Sequence, residues 1–289
     1  MSATYGLYPN LDKPEATRIS HELLGWLEQR GFRVLVPPAA ATFLQREDLA
    51  REVGQWEESQ AVLVLGGDGT LLNAAKQVAP FGVPVLGINL GRLGFLTELE
   101  LDELYQELPA LLRGEGMVEE RMLLEAVLVR GGEAATPLLA MNDVVVAKGP
   151  FARLVHLEVR VNDFPVATYP ADGIIVATAT GSTAYSLSAG GPVISPAVEV
   201  LEVTPICPHT LQARSLVVGR DDRVTLRLLG NPPETLLTVD GQWGQQVQAG
   251  DRVEVARSSF PARLLRRRSW NFYAVLQRKL QEGGGGWRG

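Results

Sequence analysis

The sequence has one cysteine, Cys207, and three histidines. A single cysteine excludes an internal disulfide framework and a cysteine-rich zinc site, and it fits a reducing compartment. His21, His156 and His209 stand too far apart in the chain to suggest a metal by their spacing. No apolar run reaches about 18 residues, so no membrane-spanning helix is expected. The N-terminus lacks the basic-then-apolar pattern of a secretion signal, so the expected location is the cytoplasm. Positive charge is in deficit: 27 Lys and Arg against 33 Asp and Glu leave a net charge of −6, which argues against nucleic acid as a partner. Several signatures are also missing. There is no G-x-x-x-x-G-K-[ST] loop, no His-Arg-Asp catalytic loop and no G-x-S-x-G elbow.

What is present starts at residues 61–76. Five apolar residues, 61–65, read as a buried strand, and Gly66-Gly67-Asp68-Gly69-Thr70 follows them. Leu71, Leu72, Ala74, Ala75 and Val78 then continue at helical spacing. This is a strand, a tight turn and a helix start; the turn is not the G-x-G-x-x-G fingerprint. In an open α/β sheet it lies at the carboxyl edge, where ligands bind. Glycines admit a close ligand, and a helix start favours phosphate. Asp68 is then a carboxylate among phosphates, which either meets a metal or takes a proton. The plainer alternative is an aspartate that caps the helix.

The 289 residues, 46% of them hydrophobic, suffice for two cored domains. Strands are expected at 5–8, 32–36, 61–65 and 83–88, and helices at 14–30, 46–53 and 101–112. Their alternation predicts a doubly wound parallel sheet over 1–115. From about Arg121 the pattern changes. Strands are expected at 123–129, 143–147, 155–161, 166–169, 173–177, 216–218, 224–228, 236–239, 253–256 and 262–265, without long helices between them. This predicts a β-rich, mostly antiparallel domain over 116–268, with turns at Asn162-Asp163 and Asn231-Pro232-Pro233. Residues 269–289 carry a helical stripe, Phe272, Val275, Leu276 and Leu280, that should return to the first domain, and 283–286 form a flexible glycine end. The run Arg266-Arg267-Arg268 reads as a solvated charge cluster.

Four further stretches carry polar chemistry. Asn142-Asp143, heading an apolar run, can hold a sugar or amide through donors and acceptors together, although the pair is also common in turns. Residues 171–196 open a short strand into small hydroxyl residues and glycines around Tyr185, which offers a flat face. Close packing around a helix cap is the competing reading of that stretch. Cys207-Pro208-His209 reads as a rigid turn rather than a thiolate–histidine pair. Asp240-Gly241-Gln242 reads as a turn from which Gln242 can reach a ligand, while Lys148 and Arg153 read as surface cations.

Gly66-Gly67-Asp68-Gly69-Thr70 resembles the GGDGT motif of the superfamily that joins NAD kinases, diacylglycerol and sphingosine kinases and 6-phosphofructokinases. The later blocks narrow this. Asn142-Asp143, the 172–192 stretch with Thr180-Gly181-Ser182-Thr183-Ala184-Tyr185, Pro205-Ile206-Cys207-Pro208-His209-Thr210-Leu211 and Asp240-Gly241-Gln242 follow in the order found in NAD kinases. The likeness spans roughly residues 60–245, and Ala179 departs from it where many relatives carry proline.

The resemblance implies an α/β domain followed by a β-rich dinucleotide-binding domain. It implies phosphoryl transfer from ATP, or polyphosphate, to the 2′-hydroxyl of the adenosine ribose of NAD. Magnesium or manganese would accompany the donor, and the chain would form a homodimer or homotetramer. It makes Asp68 the catalytic residue and assigns the phosphate loop to Gly66, Gly67, Gly69 and Thr70. NAD contacts would come from Asp68, Gly69, Asn142, Asp143, Arg153, Asp172, Thr180, Thr183, Ala184, Tyr185, Ser186, Leu187, Ser188 and Gln242. The alternatives are a lipid or sugar kinase of the same superfamily and a dinucleotide-binding sensor without turnover.

Overall fold

The computed structural model describes residues 2–91, 94–150, 153–210, 212–230 and 234–283. The chain divides into two compact units, residues 1–120 with 262–289, and residues 121–261.

The first unit opens with β1 (Thr4–Pro9), α1 (Pro14–Glu28), β2 (Arg33–Leu35) and α2 (Pro38–Phe43). It continues with β3 (Ala61–Gly66), α3 (Asp68–Val78), β4 (Val85–Asn89), α4 (Leu104–Leu112) and β5 (Met117–Arg121). Every residue of β3 is buried, as its continuous apolar run requires of a strand covered on both faces. α1 starts with proline in its first turn and buries Ala16, Ile19, Leu23, Leu24 and Leu27, one face at helical spacing. These side chains pack with Leu7, Leu63, Leu65, Leu86 and Ile88 in the core of the sheet.

One expected helix is corrected. Residues 46–53 form only 3-10 turns, Glu47–Leu49 and Val53–Gln55, and the helix lies earlier, at α2. Pro38 in its first turn is the start signal.

The second unit contains β6 (Leu124–Arg130), β7 (Glu133–Ala134), β8 (Leu138–Ala140), β9 (Asp143–Lys148), β10 (Val155–Val161), β11 (Phe164–Ala171) and β12 (Gly173–Thr178). After the short α5 (Tyr185–Ser188) come β13 (Val200–Ile206), β14 (Leu216–Gly219), β15 (Val224–Leu228), β16 (Thr235–Val239), β17 (Trp243–Val247) and β18 (Arg252–Arg257). They form two sheets. One has the order β11-β10-β15-β18-β6-β7, with β8 beside β6; the other has the order β14-β13-β12-β9-β16-β17. Their inner faces, including Leu124, Val144, Leu157, Val176, Leu226, Leu237 and Val255, make one core. Asn162 and Asp163 both take positive φ, 48° and 68°, as a two-residue hairpin between right-twisted strands demands.

β13 and β17 were not legible as strands. Pro205 sits inside β13, but β14 pairs only with residues 200–203, so the proline lies where that side of the strand is open. The Asn231-Pro232-Pro233 turn, Leu211 of the proline–histidine block and the glycines at 284–286 fall outside the described residues.

The chain then returns to the first unit as β19 (Ala262–Arg266) and α6 (Phe272–Gly283). The first sheet has the order β2-β1-β3-β4-β19-β5, with β19 parallel to β4. Residues 116–120 and 262–268, expected in the β-rich domain, therefore belong with the first sheet. Within the first unit the Phe272 ring of α6 lies 6.5 Å from that of Phe95, and Arg278 ion-pairs with Glu100.

The arginine run is a second correction. Arg266 is fully buried and Arg267 half-buried, both paired with the buried Glu98. Only Arg268 is exposed, donating to the Glu115 carbonyl. Carboxylates far away in sequence, rather than solvent, balance the run.

Candidate functional site

In the first sheet β1 lies between β2 and β3. The winding therefore reverses there, and the crevice at the carboxyl ends of these strands is the place where such sheets bind ligands. Asn10 follows β1, and its amide donates to Thr70 Oγ1 at 3.1 Å. Gly67 precedes α3, with no side chain capping the helix. Asp68 is the first helical residue, and its carboxylate turns away from its own helix. It accepts three backbone N–H bonds from the loop after β4: Phe95 to Oδ2 at 2.8 Å, and Leu96 and Thr97 to Oδ1 at 3.1 and 3.3 Å. The expected alternative of an aspartate capping its own helix is thus not what forms. A carboxylate has about four lone-pair positions, so the three bonds fix its orientation and leave room for one more donor.

Gly94 makes this approach possible. A Cβ there would lie 1.9 Å from Asp68 Oδ1. Nothing in the local sequence of this loop announced its role.

In the second unit Asn142 and Asp143 open β9. The Asp240 carboxylate accepts the N–H groups of Met141, Asn142 and Asp143 at 3.1, 2.8 and 3.1 Å. Asp240 and Gly241 both have positive φ, 49° and 64°, so the hairpin turn aims the carboxylate back at the neighbouring strand. On the other side, the Thr178 hydroxyl donates to the Met141 carbonyl at 2.6 Å and accepts Gly181 N–H at 3.0 Å. Gly181 passes so close that a Cβ would lie 2.0 Å from the Asn142 carbonyl oxygen. The Asn142-Asp143 corner is therefore fixed from both neighbouring strands.

A cavity of about 300 Å³ opens beside this corner, lined by Asn142, Asp143, Ala184, Tyr185, Thr238 and Asp240 among others. Tyr185 is half exposed. Burial, then the nearby Cys207, Asp172 and Asp143, raises its phenol above its ordinary value, so the ring stays neutral.

The remaining expected residues are placed differently. Thr180 is buried and receives Arg121 Nη1 at 3.1 Å, and Thr183 donates to the Thr180 carbonyl. Ser186 is fully buried, donating to Glu202 Oε1 at 2.7 Å beside Thr204. Asp172 pairs with Lys148 at 3.1 Å. Leu187, Ser188, Arg153 and Gln242 are exposed. None of these lines the cavity beside Asn142. Asp240 and Arg121 were missed as supports, because a turn aspartate and an isolated arginine carry no signal of the backbone or hydroxyl they bind. Among the described residues no cluster of three or more His, Cys, Asp or Glu side chains is placed to hold a metal, and no helix is long and apolar enough to cross a membrane.

Residues 6–116 match the family model described as the ATP-NAD kinase N-terminal domain, and residues 141–267 match the ATP-NAD kinase C-terminal domain. The chain belongs to the NAD kinase family. Its similarity to NAD kinases extends along almost its whole length. It is 53% identical to the NAD kinase of Symbiobacterium thermophilum over 277 residues, 96% of this chain and 98% of that protein. It is 47% identical to that of Moorella thermoacetica over 281 residues, 96% and 89% of the two chains. Two solved structures share the fold at 24% identity. Yeast NADH kinase complexed with NADH has a TM-score of 0.88 and covers 99% of this chain and 89% of that one. An NAD kinase from Archaeoglobus fulgidus in complex with ATP has a TM-score of 0.74 and covers 97% and 99%. As an NAD kinase family member the chain is a kinase that phosphorylates NAD. The match of the second unit removes the lipid and sugar kinase alternatives.

Proposed function

We propose that Asp68 takes the proton as the γ-phosphoryl group of ATP passes to the 2′-hydroxyl of the adenosine ribose of NAD, giving NADP. The observation that carries this reading is the Asp68 carboxylate, turned from its own helix and held by three N–H groups of another loop. As the ribose oxygen bonds to phosphorus, the bond from phosphorus to the ADP oxygen breaks, and the hydroxyl proton passes to the carboxylate. A carboxylate already oriented needs no rearrangement at that moment. Gly66, Gly67, Gly69 and Thr70, at the start of α3, take phosphate. Magnesium or manganese enters with ATP as part of the donor, and polyphosphate is the alternative donor.

Asn142, Asp143, Ala184 and Tyr185 hold the dinucleotide, and Asp172, Thr183, Leu187, Ser188, Arg153 and Gln242 add contacts around it. The Thr180 hydroxyl accepts Arg121 and keeps its own proton for the ligand, while Ser186, whose hydroxyl proton goes to Glu202, acts through its backbone. NADH in the yeast enzyme and ATP in the archaeal one support both ligand classes. We place the chain in the cytoplasm, which its single cysteine supports, as a homodimer or homotetramer. Phe164 and Val166, exposed on β11, support self-association.

The test is a coupled assay of ATP and polyphosphate with NAD and NADH. Asp68→Asn keeps the shape but cannot take the proton, so turnover should fall roughly 10²- to 10⁴-fold with dinucleotide binding retained. Turnover within about threefold of the parent removes Asp68 from the mechanism.

A further inference from the structure

Arg266, at the end of β19, is fully buried. Its Nη1 donates to the Leu96 carbonyl at 2.8 Å and to Glu98 Oε2 at 3.2 Å, and its Nε donates to Glu119 Oε2 at 3.0 Å. Its guanidinium also lies 4.3 Å from the centre of the Trp270 ring. The neighbouring Arg267 grips Glu98 through its own N–H at 3.1 Å and Nε at 2.9 Å, and donates to the Glu98 carbonyl at 3.0 Å. Burying an ionised pair costs much of what the pairing returns, and an apolar side chain would fill the same space more cheaply. The place of Arg266 therefore asks for a reason besides stability.

That reason lies in one peptide plane. The Leu96 carbonyl and the Thr97 N–H belong to the same planar unit and point in opposite directions. Arg266 holds the carbonyl end, while the N–H end donates to Asp68 Oδ1 at 3.3 Å. The preceding N–H groups, of Phe95 and Leu96, complete the grip on the carboxylate. A cation on the carbonyl also polarises the amide and strengthens its donation. We propose that Arg266 is a positioning residue for phosphoryl transfer: by fixing the Leu96 carbonyl it aims the 95–97 N–H groups at Asp68 and holds that carboxylate in one orientation. The inference rests on the role of Asp68 proposed above. It gives a residue close to the C-terminus a task at the glycine turn nearly two hundred residues earlier.

Arg266→Lys keeps a buried positive charge beside Glu98 but cannot span both Glu98 and the Leu96 carbonyl. Arg266→Met fills the space with an apolar stem while Glu98 keeps Arg267. Each is assayed as the full chain below its own melting temperature, with Arg268→Lys as a control remote from the peptide. For both Arg266 variants kcat should fall on the order of tenfold to a hundredfold, with KM for NAD and ATP within about threefold of the parent. A residue that only stabilised the fold would lower the melting temperature and leave the kcat of the folded protein unchanged.

The decisive arm places Arg266→Lys in an Asp68→Asn background. If Arg266 acts through Asp68, its effect on kcat disappears there. A full independent loss in that background, or an unchanged kcat in folded Arg266→Lys and Arg266→Met, overturns the inference. Failure of the Asp68 reading looks different: Asp68→Asn alone then stays active.

Discussion

Replacing Gly94 by alanine tests the Asp68 carboxylate without altering any group that touches a substrate. The new Cβ would lie 1.9 Å from Oδ1, 2.4 Å from Cγ and 2.6 Å from Oδ2 of Asp68. Ordinary contact begins near 3.4 Å, and 3.4 minus 1.9 leaves the carboxylate to retreat by about 1.5 Å. The loop cannot yield instead without cost, because Gly94 N–H is itself bonded to Thr97 Oγ1 and Leu96 is held by Arg266. A retreat of that size breaks the bonds of 2.8–3.3 Å from residues 95–97. Misplacing a reacting group by about 1 Å costs roughly 10²-fold in rate. We therefore expect kcat to fall about a hundredfold or more, with KM for NAD within a few-fold. Losing hydrogen bonds to a partly solvated charge should cost about 1–3 kcal/mol of stability. Steady-state kinetics and thermal melting on the same preparation measure both. A folded Gly94→Ala enzyme with kcat within about threefold of the parent would refute the argument that this loop fixes the carboxylate.

Other perturbations probe the second unit. Asp240→Asn leaves one oxygen for three N–H donors and loses a charge-assisted bond worth about 1.5–3 kcal/mol, so the Kd for NAD by calorimetric titration should rise roughly tenfold with ATP affinity unchanged; equal NAD affinities would return Asp240 to the role of a plain turn. Tyr185→Ala should raise KM for NAD more than KM for ATP, and a variant that only melts earlier would place Tyr185 in the core instead. Glu202 gives a pH prediction. Burial raises its carboxyl above the ordinary value of 4.5, opposed in part by the Ser186 and Thr204 hydroxyls. The folded chain therefore keeps a proton that the unfolded chain releases. This contribution to stability is complete below about pH 4.5 and is lost as pH rises, until the buried carboxyl itself ionises. In Glu202→Gln the melting temperature should decline less across that rise than in the parent, and parallel curves would sink the idea.

The glycine turn was legible because an all-apolar strand and a helical stripe bracket it, and both signals are local. The α/β half and the β-rich half were legible for the same reason: the period changes near Arg121. Partnership across the chain was not legible. Arg266 finds Glu119, Glu98 and Leu96 at separations of 147, 168 and 170 residues, and no spacing rule links a basic run to a distant carbonyl. Asp240 and Gly94 were hidden in another way. One reads as a turn residue and the other as a loop glycine, and only the fold reveals what stands opposite them. At Asn142-Asp143 the residue types announced the corner, while the threonine and aspartate that fix it from the adjacent strands came from the register.

The place of β19 has a consequence for how the chain is made. It lies between β4 and β5, so the first sheet cannot close when the ribosome has finished residues 1–120. Residues 98–99 already bond to Gly87–Asn89 of β4, but until the last strand is synthesised the Val85 end of β4 lacks its partner Leu264 and β5 has no place to dock, the kind of exposed edge that invites wrong pairing. The second unit, contiguous from residue 121 to 261, is complete before the first. The loop that holds Asp68 gains its support from Arg266 only when that final strand arrives, so an interrupted chain carries the whole glycine turn without its brace.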